Sequence, residues 1–289
     1  MVAGKLVPMS ELLEQTRAGT LRDVHESSKL VPYMCDVWKR RGYVRYVATS
    51  ELKRRQVDNV LGNVWHLLNP ALQIGVYYII FGQLLDVGDR SSNNFILFLT
   101  VGLFIFQFTQ RATVDGAKSI VTNLGLIKAI KFPRAILPLT STATEASAFW
   151  SSLVVIYFVA LISEGARWQW IVLPVLVLVQ TFFNMGSAMI AARMTTYFRD
   201  TIQILPFFFR LLLYGSGVIF SVDAYADNST ISWLFTANPM YCFVTAARWT
   251  VFGGELQLRY VLSLSAWTVM LFVFGFLWFR AGEEQYARG

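Results

Sequence analysis

Six apolar runs, each close to twenty residues long, constrain this chain more than any motif in it. Such a run matches the roughly 20 residues needed to cross a hydrocarbon core about 30 Å thick. In lipid, backbone N–H and C=O groups must be satisfied within the segment, so these runs fold as helices. They lie at about 65–85, 95–114, 137–162, 171–192, 201–221 and 258–279, and are taken as spans 1 to 6. Of the 289 residues 55% are hydrophobic and only 15% charged, against roughly 25% charged in soluble domains. Mean hydropathy is +0.48. The expected fold is an all-α integral membrane protein with six transmembrane helices.

The basic residues orient it. With the chain starting inside, the segments on the cytoplasmic side hold 20 of the 25 Lys and Arg, 11 of them in residues 1–64. The outer segments hold Arg90, Arg167, Arg248 and Arg259, and Arg210 alone lies within a span. Basic residues concentrate in cytoplasmic loops, so both termini are expected in the cytoplasm and the net charge of +7 does not imply nucleic-acid binding. No cleavable leader is expected, because residues 1–64 carry 7 Asp/Glu as well and no apolar core. Cys35 and Cys242 fall on opposite sides, so no disulfide framework follows.

Residues 1–42 read as a polar cytoplasmic tail, either loosely ordered or a helical lead-in, ending in the basic cluster Lys39-Arg40-Arg41-Gly42. Residues 43–64 read as an interfacial helix and the entry to span 1: Val44, Val47, Ala48 and Leu52 share one side, with Arg45, Thr49, Lys53 and Gln56 opposite. Residues 65–280 form the membrane domain, and 281–289 a short cytoplasmic tail. Within the domain, 115–136 is a basic cytoplasmic loop stopped at Phe132-Pro133, of a kind that transmits force from a soluble partner. Segment 222–257 is too long for a turn and reads as two short re-entrant or interfacial helices broken at Asn238-Pro239 and ended by Gly253-Gly254.

Catalysis by the chain itself is not expected. Its two histidines, His25 and His66, lie at the cytoplasmic end, far from the Ser of Gly215-Ser216-Gly217. There is neither Cys/His metal spacing nor a phosphate-cradling G-x-x-x-x-G-K-[ST] loop, so no cofactor is expected on this chain.

The costly residues are Glu145 in span 3 and Arg210 in span 5. Ionisable groups inside spans face a bundle interior or a wet path. Two readings remain open: a structural Glu145–Arg210 ion pair or separate packing contacts, and a lining for a polar substrate. Phe104, Phe108 and Arg111 fall at i, i+4, i+7 in span 2, and Phe207, Phe208, Phe209 and Tyr214 in span 5. Trp233, Phe235 and Tyr241 lie in the outer segment. Each aromatic has a packing reading; as a set they offer broad faces for sugar rings sliding through a channel.

The run Glu51-Leu52-Lys53-Arg54-Arg55, then Val60-Leu61-Gly62-Asn63-Val64-Trp65 and Leu68-Asn69-Pro70, resembles the entry of polysaccharide-exporting ABC-2 permeases. Asn123-Leu124 through Ile127-Lys128, Phe132-Pro133-Arg134 with Leu137-Pro138, Phe198-Arg199-Asp200, and Asn238-Pro239 with Arg248 follow in the family's order. The set covers residues 43–280 and departs at Gly215-Ser216-Gly217-Val218, where many relatives carry a proline.

The resemblance implies a homodimer working with two copies of an ATP-binding cassette subunit that holds ATP and Mg. It implies export of a polyprenyl-diphosphate-linked polysaccharide (O-antigen, teichoic acid or galactan) across a bacterial plasma membrane. By the same analogy the loop helix 123–132 docks on the ATPase through Leu124, Leu126, Ile127, Lys128, Lys131, Phe132, Pro133 and Arg134. Arg45, Lys53, Arg54 and Arg55 meet the lipid carrier. Phe104, Phe108, Arg111, Glu145, Phe207, Arg210 and Tyr214 line the channel. Trp233, Phe235, Asn238, Pro239, Tyr241 and Arg248 gate its outer mouth. An ABC-2 exporter of a small lipid or drug is the alternative. A secondary transporter fits less well, because spans 1–3 and 4–6 share no broken-helix pair.

Overall fold

The computed structural model describes residues 30–57, 64–84, 94–130, 132–220, 229–283 and 286. Among these the regular structure is all helical. The chain divides into two units, Met1–Lys39 and Arg40–Gly289. Of the first, α1 (Leu30–Lys39) is a ten-residue helix with an Asp36–Lys39 ion pair at 3.9 Å.

In the second unit α2 (Arg41–Val57) leads to α3 (Val64–Tyr77), which runs on as a π-helical turn, Tyr78–Leu84. Then come α4 (Phe95–Thr122), α5 (Leu124–Ala129), α6 (Ile136–Ser163), α7 (Val172–Tyr197) and α8 (Thr201–Gly215). Next come α9 (Ser229–Ala237) and α10 (Pro239–Phe252), and α11 (Leu258–Ala281) closes the bundle.

Four helical stretches among the described residues are long and apolar enough to cross a membrane: α4, α6, Trp168–Tyr197 and α11. These match spans 2, 3, 4 and 6. Spans 1 and 5 fall on the shorter apolar helices Ala71–Phe81 and Thr201–Gly215. At 1.5 Å per residue, the 15 residues of α8 reach only about 22 Å, and Pro206 interrupts its hydrogen-bond ladder.

The centre of the bundle is α4. In its most apolar 18-residue stretch 83% of the residues are buried, against 22% in α6 and 17% in α11. A helix apolar all round must be enclosed, and α6, α7, α10 and α8 enclose α4. The enclosing helices turn apolar side chains outward instead. On α6, Trp150, Val154, Phe158 and Leu161 make an exposed stripe at helical spacing. Water would penalise such a surface and lipid does not. The hydroxyls in the first half of α6 are compatible with that setting, because Thr140, Thr142, Thr144 and Ser147 each bond back to the carbonyl four residues earlier.

Small residues set the closest approaches. Gly116 of α4 lies against Ala188 of α7, and Gly186 of α7 lies against the α11 backbone at Leu271 and Gly275. None of these three glycines has room for a Cβ, the arrangement by which helices pack without a hydrophobic driving force. Gly186→Ala and Gly275→Ala should each destabilise the protein by about 1–3 kcal/mol, as overpacked positions do. Gly75→Ala, where nothing lies within 4 Å, should instead be neutral or stabilise by up to about 1 kcal/mol, the helix preference of Ala over Gly. Thermal unfolding in detergent measures the difference.

Candidate functional site

Chain direction assigns two ends to the bundle. One gathers α5, the C-termini of α4 and α7, the N-terminus of α6 and the segment after α11. The basic side chains Lys118, Lys128, Arg134, Arg193, Arg199 and Arg280 all sit at this loop end. The other end holds residues 164–171, Gly217, Gly253 and Gly254.

At the loop end, α4 stops where Asn123 turns its side-chain amide back to the Ser119 carbonyl at 2.8 Å. The loop helix is shorter than expected. It spans Leu124–Ala129, not 123–132, and Ile130 is already extended at φ −136, ψ 146. A proline excludes its predecessor from the helical region, and Pro133 therefore keeps the helix from reaching Phe132. Ile127 packs inward, and Leu124, Leu126, Phe132, Pro133 and Arg134 are half-buried. Lys128 is exposed and Ile130 is 53% exposed. Lys131 lies outside the described residues.

Beside the loop, α2 packs along α6 with Val44, Val47 and Ala48 on its more buried side and Arg45 exposed, as the wheel predicts. Between α2, α4 and α6 lies a polar cleft of about 410 Å³ lined by Glu51, Asp115, Lys118, Asn123, Thr140 and neighbours. The side chains of Lys53, Arg54 and Arg55 lie outside the described residues.

The expected channel residues split into two groups. Phe104, Phe108, Arg111 and Glu145 meet between α4 and α6, around a cavity of about 20 Å³. Phe104 and Phe108 are buried, Phe108 stacks on Phe149 at 4.8 Å, and Glu145 is 4% exposed. The Arg111 guanidinium donates to Gln107 at 3.1 Å, and Gln107 donates to Gln73 of α3 at 2.6 Å. Phe207, Arg210 and Tyr214 instead share the exposed side of α8. No Glu145–Arg210 ion pair forms among the described residues, so that alternative does not hold within one chain: burial keeps Glu145 with α4 while Arg210 points away.

A second polar seam, not anticipated from the sequence, joins α4 to α7. Gln180 donates to Thr109 at 2.9 Å and to the Ile105 carbonyl at 2.8 Å, and Thr109 donates to Asn184 at 2.7 Å. The signal was present: Gln107, Gln180 and Asn184 are amides inside apolar runs, where polar groups are costly.

At the other end, Asn238 and Pro239 start α10. The Asn238 carboxamide accepts the Met240 N–H at 3.0 Å and donates to Gly215 O and Ser216 Oγ at 3.2 and 3.1 Å. Asn at the cap with Pro at the first helical position is a strong start signal. Tyr241 is buried against Phe235 at 5.3 Å, whereas Trp233 is 74% exposed. Arg248 donates to the carbonyls of Gly217 at 2.7 Å, Val218 at 2.6 Å and Phe98 at 3.2 Å, with its guanidinium 3.3 Å from the Phe98 ring centre. It therefore ties the segment after α8 to the first turn of α4. Replacing Arg248 by Met should cost about 1.5–3 kcal/mol, the range for hydrogen bonds to a charged group. Denaturant titration of the purified protein reads that loss; an unchanged midpoint would contradict the clamp.

Comparison with known proteins extends this picture. The family described as ABC-2 type transporter matches residues 43–252. The chain is 26% identical over 244 residues to the O-antigen export system permease protein RfbA of Klebsiella pneumoniae, covering 83% of this chain and 92% of that one. It is 25% identical over 254 residues to the protein of the same name from Myxococcus xanthus, covering 87% and 96%.

Proposed function

The chain belongs to the ABC-2 type transporter family, and from that membership we propose that it is the channel-forming permease subunit of an ATP-driven exporter of lipid-linked polysaccharide. The substrate class rests on its relatives, which are O-antigen export permeases. In this reading the six apolar segments all cross a bacterial plasma membrane, with both termini inside. Two copies pair, and each engages an ATP-binding cassette subunit that holds ATP and Mg and performs the hydrolysis.

The observation that carries the conduit is Arg210. It is exposed on α8, among the exposed apolar Ile204, Phe207 and Leu211. A charge within a span is strongly disfavoured against lipid and marks a wet path. A second copy facing α8 would enclose such a path, and Phe207 and Tyr214 would present broad ring faces to sugars within it. At the loop end, α5 exposes Lys128, and Ile130 is exposed just beyond it, an apolar-and-basic surface suited to a groove on a soluble partner. Arg45, Lys53, Arg54 and Arg55 would attract the carrier diphosphate.

A second reading, export of a small lipid or drug, is favoured by one feature. An apolar cavity of about 420 Å³ lies among α4, α7, α8 and α10, lined by Phe183, Leu205, Phe208, Leu212 and Met240 among others. That size suits an apolar small molecule.

Depletion of this chain separates the readings. Under the first, lipid-linked glycan accumulates on the cytoplasmic side and surface glycan falls. Normal surface glycan with altered drug or lipid export would favour the second. Arg210→Glu should lower export about tenfold or more, as a reversed charge in a narrow path does. Arg210→Lys should retain most of it, with the ATPase co-purifying in both.

A further inference from the structure

The segment after α11 lies where three helix ends meet. The Glu283 carboxylate accepts the backbone N–H of Arg134 at 2.7 Å, one residue ahead of the α6 cap position. Ala135 at that cap position supplies no side-chain hydrogen bond of its own. The Arg134 guanidinium donates in return to the Glu283 carbonyl. Tyr286 is 2% exposed, donates its hydroxyl to the Phe279 carbonyl at 2.7 Å and packs on the Phe279 ring. Burial pushes its phenol above the ordinary range, so it stays a donor. Arg193 of α7 donates to the Trp278 carbonyl and lies 4.5 Å over the Trp278 ring. Gly282 is enclosed by Arg193 and Tyr286, with about 3 Å to either where a Cβ would stand.

Each contact answers a helix-end requirement. The last carbonyls of α11 lack intrahelical donors, and Tyr286 and Arg193 supply them. The start of α6 favours an anion and the end of α11 a cation; Glu283 and Arg193 match that polarity. The loop that ends at Arg134 is thereby fastened to α11 as well as to α6. α11 in turn is packed along α7 through Gly186 and Gly275.

We propose that Glu283 is a positioning residue for transport: it makes the loop move α6 and α11 together, so that displacement of α5 reaches α6, which packs on the buried α4, and α11, which packs on α7. The proposal rests on the reading that the ATPase docks on this loop. Without the Glu283 carboxylate the loop keeps only the Arg134 bond to the backbone carbonyl at position 283, so a push on it reaches α11 weakly and nucleotide hydrolysis runs with less transport.

The test uses the full permease–ATPase complex in liposomes, with Glu283→Ala and Glu283→Gln. Gln keeps an acceptor for the Arg134 N–H and serves as the conservative rescue. With Glu283→Ala, ATPase co-purification and hydrolysis should stay within about twofold, while glycan exported per ATP falls about tenfold, within the usual range of site-to-site coupling. Glu283→Gln should recover most of it. Export per ATP equal to the unsubstituted chain would overturn the proposal. So would a loss of export that only tracks a loss of folded protein.

Hydrogen exchange on the permease alone tests the junction without the partner. In Glu283→Ala, exchange at 136–140 and at 278–281 should rise together; a rise confined to either segment overturns the proposal. Failure of the unsubstituted chain to bind the ATPase would instead count against the docking reading, and the exchange result would still decide the junction.

Discussion

A 28-residue helix that is buried along most of its apolar length leaves the other elements little freedom. α4 presents apolar side chains in every direction and must be surrounded. α6, α7, α8 and α10 supply that enclosure, and α3 adds to it. Their own outer faces then point away from the buried core, and α6 and α7 carry Val154, Phe158, Val175 and Leu178 exposed. An enclosed apolar rod with an apolar exterior is stable in lipid and not in water. The family's membrane setting thus follows from how one helix is buried.

Polar groups that enter this core are bonded at most of their atoms, with Gln180 Oε1 and Asn184 Nδ2 left buried and without a partner. Thr109, Gln180 and Asn184 bond among themselves and to the Ile105 carbonyl, and Arg248 spends its guanidinium on three backbone carbonyls. They fasten α4 to α7 and to the segment after α8. Arg210 is the contrast, because it is exposed on an apolar helix, and in the proposed function it marks a path that one chain does not enclose.

What the sequence made legible was set by period and punctuation. Runs of apolar residues located α4, α6, α7 and α11. The wheel over 43–58 placed Val44, Val47 and Ala48 toward the bundle, and Asn238-Pro239 marked the start of α10. Less legible was anything depending on distance across the bundle. Composition does not reveal that Glu145 lines a small cavity with Arg111 and not with Arg210, since only helix rotation decides it. The junction of Arg134 with Glu283 joins residues 149 apart in a tail that reads as featureless charge. The end of α5 at Ala129 was equally illegible, because Pro133 restricts only Phe132 and not Ile130.

The functional account turns on the loop between α4 and α6 facing the compartment that holds ATP. Placing a single cysteine at Ile130, with Cys35 and Cys242 replaced by Ser, and labelling with a membrane-impermeant maleimide tests this most directly. The account predicts labelling in inverted membrane vesicles and none in intact cells, with protection when the ATPase subunit is bound. Labelling in intact cells would place the loop outside and contradict it.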